Sequence, residues 1–320
     1  MKVGVIQAGG VPFDTPATLV QVERWVAQAA AEACELVLFP EAFLGGYPKG
    51  DGFGVAVGVR TEKGRDDFAR YFTGSIEVPG PETQRIARAA QQAKAFVVIG
   101  VIERELGTLY CTVLYFGPDG VLLGKHRKLM PTAGERVVWG YGDGSTLPVF
   151  DTPIGKMGAV ICWENYMPML RMAMYAKNIA LYCAPTADDR PTWLPSMQHI
   201  AREGRCYVLS SCQVLRRSDF PADYACVITD APDALLMRGG SVIIDPLGNI
   251  VAGPIFDEEA LLTADLDATQ IARGKLDFDA AGNYARPDVF QLHVNETPLS
   301  AVSFNTREAG VSQTGVLHDN

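Results

Sequence analysis

Short runs of apolar, often β-branched residues alternate with stretches of helical periodicity from one end of the chain to the other, and this alternation restricts the fold more than any other feature. Strands are predicted at Lys2 to Gln7, Leu36 to Phe39, Phe96 to Val101, Met157 to Cys162, Ile179 to Cys183 and Tyr207 to Ser211. Strands interleaved with helices imply an α/β architecture. Thr15-Pro16 reads as an N-cap followed by proline at the first helical position, after which Leu19, Val22, Val26 and Ala30 recur at helical spacing. A second helix is predicted from Gly80-Pro81-Glu82 onward, carrying Ile86, Ala89 and Ala90, and a third from Trp193 to about Arg205. Two hairpins make the sheets mixed, not purely parallel. Tyr110 to Phe116 and Val121 to Lys125 flank Gly117-Pro118-Asp119-Gly120, while Ser241 to Ile244 and Ile250 to Ala252 flank Asp245-Pro246-Leu247-Gly248-Asn249.

No composition shift marks a linker, so a single domain of two sheets covered by helices is expected over residues 1–295 of the 320. Residues 296–320 turn polar and weakly patterned, which suits a tail or an intersubunit arm. Lys plus Arg number 28 against 37 Asp plus Glu, a formal charge of −9. That balance argues against nucleic acid or an anionic membrane as partner, because phosphate binding is driven by basic groups that displace counterions. The N-terminal apolar run breaks at Gly9-Gly10 without a signal-peptide pattern. Other apolar stretches, such as Ile179 to Pro185, fall short of the roughly 20 residues needed to span a bilayer. A cytoplasmic protein is expected. Its seven cysteines are odd in number, scattered and without a C-x-x-C pair, so they read as reduced thiols, mostly in the core, with room for one reactive exception.

Three segments concentrate polar residues where a strand should stop, which is where open α/β sheets place ligands. The first runs from Leu36-Val37-Leu38-Phe39-Pro40 into Glu41 and then Gly45-Gly46-Tyr47-Pro48. Alone, Glu41 reads as a solvated loop carboxylate, since carboxylates are mostly exposed. The second, Lys125-His126-Arg127-Lys128 followed by Leu129-Met130-Pro131-Thr132 and Gly134-Glu135-Arg136, reads equally as a surface anion patch or as part of a site. The third delivers Cys162 from an apolar strand into Trp163-Glu164-Asn165-Tyr166-Met167-Pro168. A free cysteine is most often a core residue, and Cys183 and Cys206 fit that description; Cys162 fits it less well, because it precedes a helix start where N–H groups can receive developing negative charge. Of the four histidines, His126 and His199 are the ones away from the C-terminal region, and His199 lies in a helical stretch where a packed or supporting role is expected. A carboxylate base for the thiol therefore comes into view. No Gly-x-Ser-x-Gly elbow, P-loop or zinc-spaced Cys/His set occurs, so no metal or cofactor is called for.

Taken together, Phe39-Pro40-Glu41-Ala42-Phe43-Leu44-Gly45-Gly46-Tyr47-Pro48, His126-Arg127-Lys128-Leu129-Met130-Pro131-Thr132-Ala133-Gly134-Glu135 and Cys162-Trp163-Glu164-Asn165-Tyr166-Met167-Pro168 closely resemble the nitrilase branch of the carbon–nitrogen hydrolase superfamily, across roughly Val3 to Asn295. Trp139 to Ser145, Ala184 to Asp188 and Arg238 to Ile243 match as well. The resemblance implies a four-layer αββα sandwich, a homodimer that assembles further, and a catalytic set of Glu41, Lys128 and Cys162 with Glu135 positioning Lys128. Trp163 after the nucleophile follows the nitrilase pattern, and the loops look most like plant-type nitrilases and bacterial arylacetonitrilases. Residues Val214 to Met237 depart most from the pattern. An amidase or carbamoylase using the same three residues, or a non-catalytic oligomeric scaffold, are the competing readings.

The implied reaction is hydrolysis of an organic nitrile to its acid and ammonia through a thioimidate and a thioester on Cys162, with the amide as a by-product. Charges on Lys128 and Glu41 about 4 Å from the thiol would contribute roughly 4 kcal/mol each, of opposite sign, leaving a largely protonated resting thiol activated by Glu41. Tyr47, Thr132, Trp139, Trp163, Tyr166, Pro185 and Trp193 are candidates for lining a pocket for an aryl or arylaliphatic nitrile, with 3-cyanoalanine as a polar alternative; they would serve equally as core.

Overall fold

The computed structural model describes residues 1–300 and Val302, so the arm expected over 296–320 lies largely outside the described residues. In chain order the elements are β1 (Lys2–Gln7), α1 (Thr15–Ala31), β2 (Leu36–Leu38), a short hairpin of β3 (Val55–Ala56) and β4 (Val59–Arg60), α2 (Glu62–Gly74), α3 (Pro81–Ala93), β5 (Phe96–Glu105), β6 (Thr108–Phe116) and β7 (Leu122–Arg127). The second half holds β8 (Met157–Ala159), α4 (Pro168–Ala176), β9 (Leu181–Thr186), α5 (Trp193–Gly204), β10 (Tyr207–Cys212), β11 (Val214–Arg216), β12 (Leu235–Ile244), β13 (Ile250–Phe256), β14 (Ala260–Asp265) and α6 (Thr269–Lys275).

Two six-stranded mixed sheets result. The first has the order β14-β1-β2-β5-β6-β7, and the second β11-β12-β10-β9-β8 with β13 paired to β12. Strands β1, β2 and β5 are mutually parallel, as are β8, β9 and β10; the hairpins β5–β6, β6–β7 and β12–β13 are antiparallel.

Side-chain alternation explains the layering. In β1 and β2, Val3, Val5, Leu36 and Leu38 face the second sheet and meet Met157, Ala159, Leu181, Cys183, Leu209 and Ile243. Their sequence neighbours Ile6, Val37 and Phe39 face outward beneath α1 and α3, against Leu19, Val22, Trp25 and Ile86. On the far side, Tyr182, Ala184 and Val208 lie beneath Leu170 and Met174 of α4 and Met197 and Ile200 of α5. Strands buried on both faces read as continuous apolar runs, which is why their signal was strong. The layers are helix, sheet, sheet, helix. Among the described residues no helix is long and apolar enough to cross a membrane.

Three boundaries differ from expectation. The cap of α1 is Asp14, not Thr15, because the Asp14 carboxylate is placed to accept from the Ala17 N–H at 2.9 Å, leaving Thr15 and Pro16 as the first helical residues. Strand β8 stops at Ala159, well before Cys162, because the Ile161 N–H is taken at 2.9 Å by the Glu164 side chain. The strand predicted from Ile179 begins at Leu181 and runs to Thr186, paired throughout with β10.

Candidate active site

Glu41, Lys128 and Cys162 converge from two sheets. Glu41 follows β2 through Pro40, in a turn whose next residue, Ala42, has a φ of 49°. The Gln213 side-chain amide beyond β10 holds this turn, donating to the Glu41 carbonyl at 2.8 Å and the Ala42 carbonyl at 3.3 Å. On the other side the turn rests against Gly100 of β5, where an added Cβ would lie 2.3 Å from the Pro40 carbonyl oxygen and 2.7 Å from the Glu41 Cα. Those are backbone atoms that cannot yield. Gly100→Ala is therefore expected to displace Glu41, lowering stability by about 1–3 kcal/mol and reducing turnover beyond what the lost stability explains, as paired urea-unfolding and kcat measurements would show.

Lys128 continues the line of β7, and strand alternation sorts the basic run around it. Lys125 and Arg127 reach Glu103, with Arg127 Nη2 at 2.7 Å, whereas His126 and Lys128 point to the opposite face and are fully buried. Cys162 opens a single 3-10 turn, Cys162–Tyr166, with a φ of 51°. A left-handed conformation costs a non-glycine residue about 1–3 kcal/mol and persists only where neighbours enforce it. Here the Asn165 amide does so, donating to the Val160 carbonyl at 2.9 Å and to the Cys162 carbonyl at 2.8 Å.

The Lys128 ammonium donates to Glu41 Oε1 at 2.6 Å and to Glu135 Oε2 at 2.7 Å. Glu135 is fixed in turn by the Tyr47 hydroxyl at 2.8 Å and the Thr132 N–H at 2.6 Å, so it faces the lysine and is not a surface partner of Arg136. Glu41 Oε1 also receives the Cys111 thiol at 3.5 Å, while Glu41 Oε2 is buried with no hydrogen-bond partner among the described residues. The Cys162 sulfur accepts from the Thr186 hydroxyl at 3.2 Å.

Burial dominates the electrostatics. It pushes the Glu41 carboxyl above the ordinary carboxylate range, with Lys128 pulling down and Glu135 pushing up. Burial works against the Lys128 ammonium, but Glu41 and the neighbouring anions outweigh it and keep the group cationic. The Cys162 thiol is raised by burial first and by Glu41 second, with Lys128 opposing. The resting thiol is therefore protonated chiefly because it is desolvated, more than because two charges cancel. A protonated thiol beside a buried carboxylate with a free oxygen, backed by a fixed cation, is an arrangement for base-assisted thiol attack on an electrophilic carbon.

Cys162 opens onto a cavity of about 190 Å³, lined also by Tyr47, Lys49, Thr132, Glu135, Trp163 and the loop after β9, Ala187 to Arg190. Glu41 and Lys128 sit behind its wall. Of the aromatic and compact residues expected there, Tyr47, Thr132 and Trp163 reach it and four do not. Trp139 is buried behind Lys128, its ring centroid 5.5 Å from the ammonium and its indole N–H bonded to the Tyr71 hydroxyl at 3.2 Å. Trp193, the first residue of α5, turns into the core to donate to the Ser210 hydroxyl at 2.9 Å and borders a neighbouring cavity instead of this one, and Pro185 is buried within β9. Tyr166 packs edge-on between Trp163 and Trp193, outside the cavity. His199 is exposed beside Glu203, 3.6 Å away, because its position in α5 faces solvent and not the packed side.

The residues unforeseen at this site are Lys49, Thr186, Asp188, Asp189 and Arg190. Asp188 accepts from the Trp163 indole at 2.8 Å and from Arg190 Nε at 2.8 Å, while the guanidinium lies 4.8 Å from the Trp163 ring centroid. Their signal was available. Thr186 and Asp188 stand where apolar β9 ends, the same strand-end pattern that singled out Glu41.

The carbon-nitrogen hydrolase family model matches residues 2–275. The chain is 59% identical over 301 residues to an aliphatic nitrilase of Sinorhizobium fredii (strain HH103), covering 94% of this chain and 97% of that one. It is 55% identical to a bifunctional nitrilase/nitrile hydratase of Lupinus angustifolius, covering 96% and 89% respectively. A crystal structure of a carbon-nitrogen hydrolase from Helicobacter pylori G27 shares the fold, with a TM-score of 0.71 at 19% identity over 91% of this chain and 96% of that one.

Proposed function

Because this chain belongs to the carbon–nitrogen hydrolase family, we propose that the buried Glu41, Lys128, Glu135 and Cys162 cluster carries out nitrile hydrolysis, yielding a carboxylic acid and ammonia. The observation that carries the assignment is the placement of the Cys162 thiol on a cavity in front of a buried ammonium shared by two carboxylates. Burying such a cluster is expensive, and an oligomeric scaffold has no use for it.

As the sulfur attacks the nitrile carbon, Glu41 Oε2 takes the thiol proton and passes it to the nitrile nitrogen, giving a neutral thioimidate. Lys128 and the backbone N–H of Trp163 offset the charge that builds on nitrogen. Water, deprotonated through Glu41, adds to the thioimidate carbon; the nitrogen leaves as ammonia and a thioester remains. A second water releases the acid and restores the thiol. If the tetrahedral species expels sulfur instead of ammonia, the product is the amide, a branch in keeping with the bifunctional lupin relative.

An aliphatic nitrile is the substrate class we favour over the aryl nitriles expected from the aromatic residues, in keeping with the aliphatic nitrilase of Sinorhizobium fredii. The cavity beside Cys162 is smaller than the roughly 300–1,000 Å³ usual for drug-sized ligands, and its rim mixes Lys49 and Arg190 with Asp188 and Asp189. A second cavity of about 350 Å³ shares Asp188 to Arg190 with it and gives longer chains a direction in which to extend. The same reading expects a cytoplasmic protein, in keeping with seven free thiols, and a homodimer that builds larger assemblies.

A nitrile panel scored for ammonia, acid and amide tests the reaction, with mass spectrometry of the trapped protein locating the adduct. Turnover of amides but not nitriles, or an adduct elsewhere than Cys162, would reject the assignment. The pH profile supplies a further check. Glu41 must be ionised to act as base and burial raises its pKa, so activity is present above that value and lost as pH falls through it. The acid limb of kcat/KM is expected above the ordinary carboxylate range.

A further inference from the structure

His126, two residues before Lys128, and Glu164, two residues after Cys162, touch each other and neither reaches the cavity. Glu164 Oε1 accepts from the Leu129 N–H at 2.6 Å; its Oε2 accepts from the Ile161 N–H at 2.9 Å and lies 3.0 Å from His126 Nε2. Both side chains are completely buried. The contacts therefore tie the residue after Lys128, at the end of β7 in the first sheet, to the residue before Cys162, beyond β8 in the second.

The contacts at His126 favour a charged ring. Nδ1 lies 2.6 Å from the Thr146 carbonyl oxygen, which can only accept, so Nδ1 carries a proton. Nε2 lies 3.0 Å from a carboxylate oxygen that also receives a backbone N–H, and a second ring proton there would make a charge-assisted hydrogen bond. Burial alone would push the imidazole pKa down, but the Glu164 charge and the two ring contacts outweigh it and raise it.

We propose that His126 and Glu164 are positioning residues, a buried imidazolium–carboxylate pair that locks the two sheets at the site and sets the distance between the Lys128 ammonium and the Cys162 thiol. The proposal rests on the nitrilase reading for its effect on turnover, but the charge state and the geometry are measurable without it.

The test uses the full-length protein in three variants. In the wild type, the ¹⁵N signals of His126, identified among four histidines by their loss in His126→Gln, are expected to show both ring nitrogens protonated at about pH 7. Glu164→Gln turns an amide N–H toward backbone N–H groups and is expected to lower kcat about 100-fold with KM within about threefold, the size of effect that follows a misplacement near 1 Å. His126→Gln puts an amide nitrogen where Nε2 stood and keeps the Glu164 contact. His126→Asn keeps only the Thr146 contact, so it is expected to be the slower of the two. Because asparagine also leaves the larger void, the order is read together with urea unfolding of both variants, and the rate difference is expected to exceed what their stability difference explains. Alkylation of Cys162 by iodoacetamide, read by mass spectrometry, should change in rate in parallel without any nitrile present. The proposal is overturned by a neutral His126, by Glu164→Gln turning over at the wild-type rate, or by equal rates for the two His126 variants. If Glu164→Gln does not fold, the His126 signals and the His126 pair decide. Should Cys162→Ala still hydrolyse nitriles, the nitrilase reading fails, while the ¹⁵N and alkylation results judge the pair on their own.

Discussion

Replacing Cys162 with alanine is expected to remove ammonia release from every nitrile tested, a loss on the order of a millionfold, the scale seen when a covalent nucleophile is deleted. The fold should not notice. Alanine carries the same Cβ through the left-handed turn at φ 51°, so the strain there is unchanged, and the side chain loses only a sulfur atom from a site already beside a cavity. Circular dichroism and the unfolding midpoint should match the parent. Turnover at the parent rate by a verified Cys162→Ala protein would remove the thiol from the mechanism altogether.

Lys128→Ala is expected to be as damaging to catalysis and, unlike the cysteine change, to stability. The ammonium is the shared partner of two carboxylates, with Glu41 at 2.6 Å and Glu135 at 2.7 Å. Without it they are left as like charges in a desolvated space. Loss of the electrostatic and proton-transfer contributions should cost two to four orders of magnitude in kcat, by the usual scale of such effects. Breaking a buried ion pair by deleting one partner typically costs about 3–5 kcal/mol. The deficit has a sign in pH. In the variant Glu41, already raised by burial, loses the Lys128 charge that pulled it down, so its folded-state pKa stands further above the unfolded one and protonation favours the folded form. Stability should therefore be least impaired below the unfolded carboxylate pKa of about 4 and should fall away from the parent as pH rises toward neutrality. Urea unfolding at several pH values measures this. A variant of parental stability with only a mild kinetic defect would return Lys128 to a supporting role.

How much of this was legible beforehand follows from what each residue depends on. The strands packed between layers announced themselves as uninterrupted apolar runs, and the Gly117-Pro118-Asp119-Gly120 hairpin as a turn that few other sequences would make. Glu41, Lys128 and Cys162 were visible as polar residues at the ends of such runs. What escaped notice was decided by side chains acting across the chain. The end of β8 depends on Glu164 capturing the Ile161 N–H, and the cap of α1 on which of two adjacent side chains reaches Ala17. The aromatic residues show the same limit. Trp139, Trp163 and Trp193 are alike in type, yet one lies behind the lysine, one on the cavity and one at the start of a helix with its ring turned onto β10, because burial is set by sheet packing and not by local pattern. His126 looked like a candidate base from composition alone; its strand faces it toward Glu164 instead.

Since Glu41 and Lys128 are carried by one sheet and Cys162 by the other, neither half of the sandwich owns a reactive centre. Ammonia output on refolding is therefore expected to recover no earlier than regular structure does, and a chain whose two halves are not face to face is silent however well each ladder is formed.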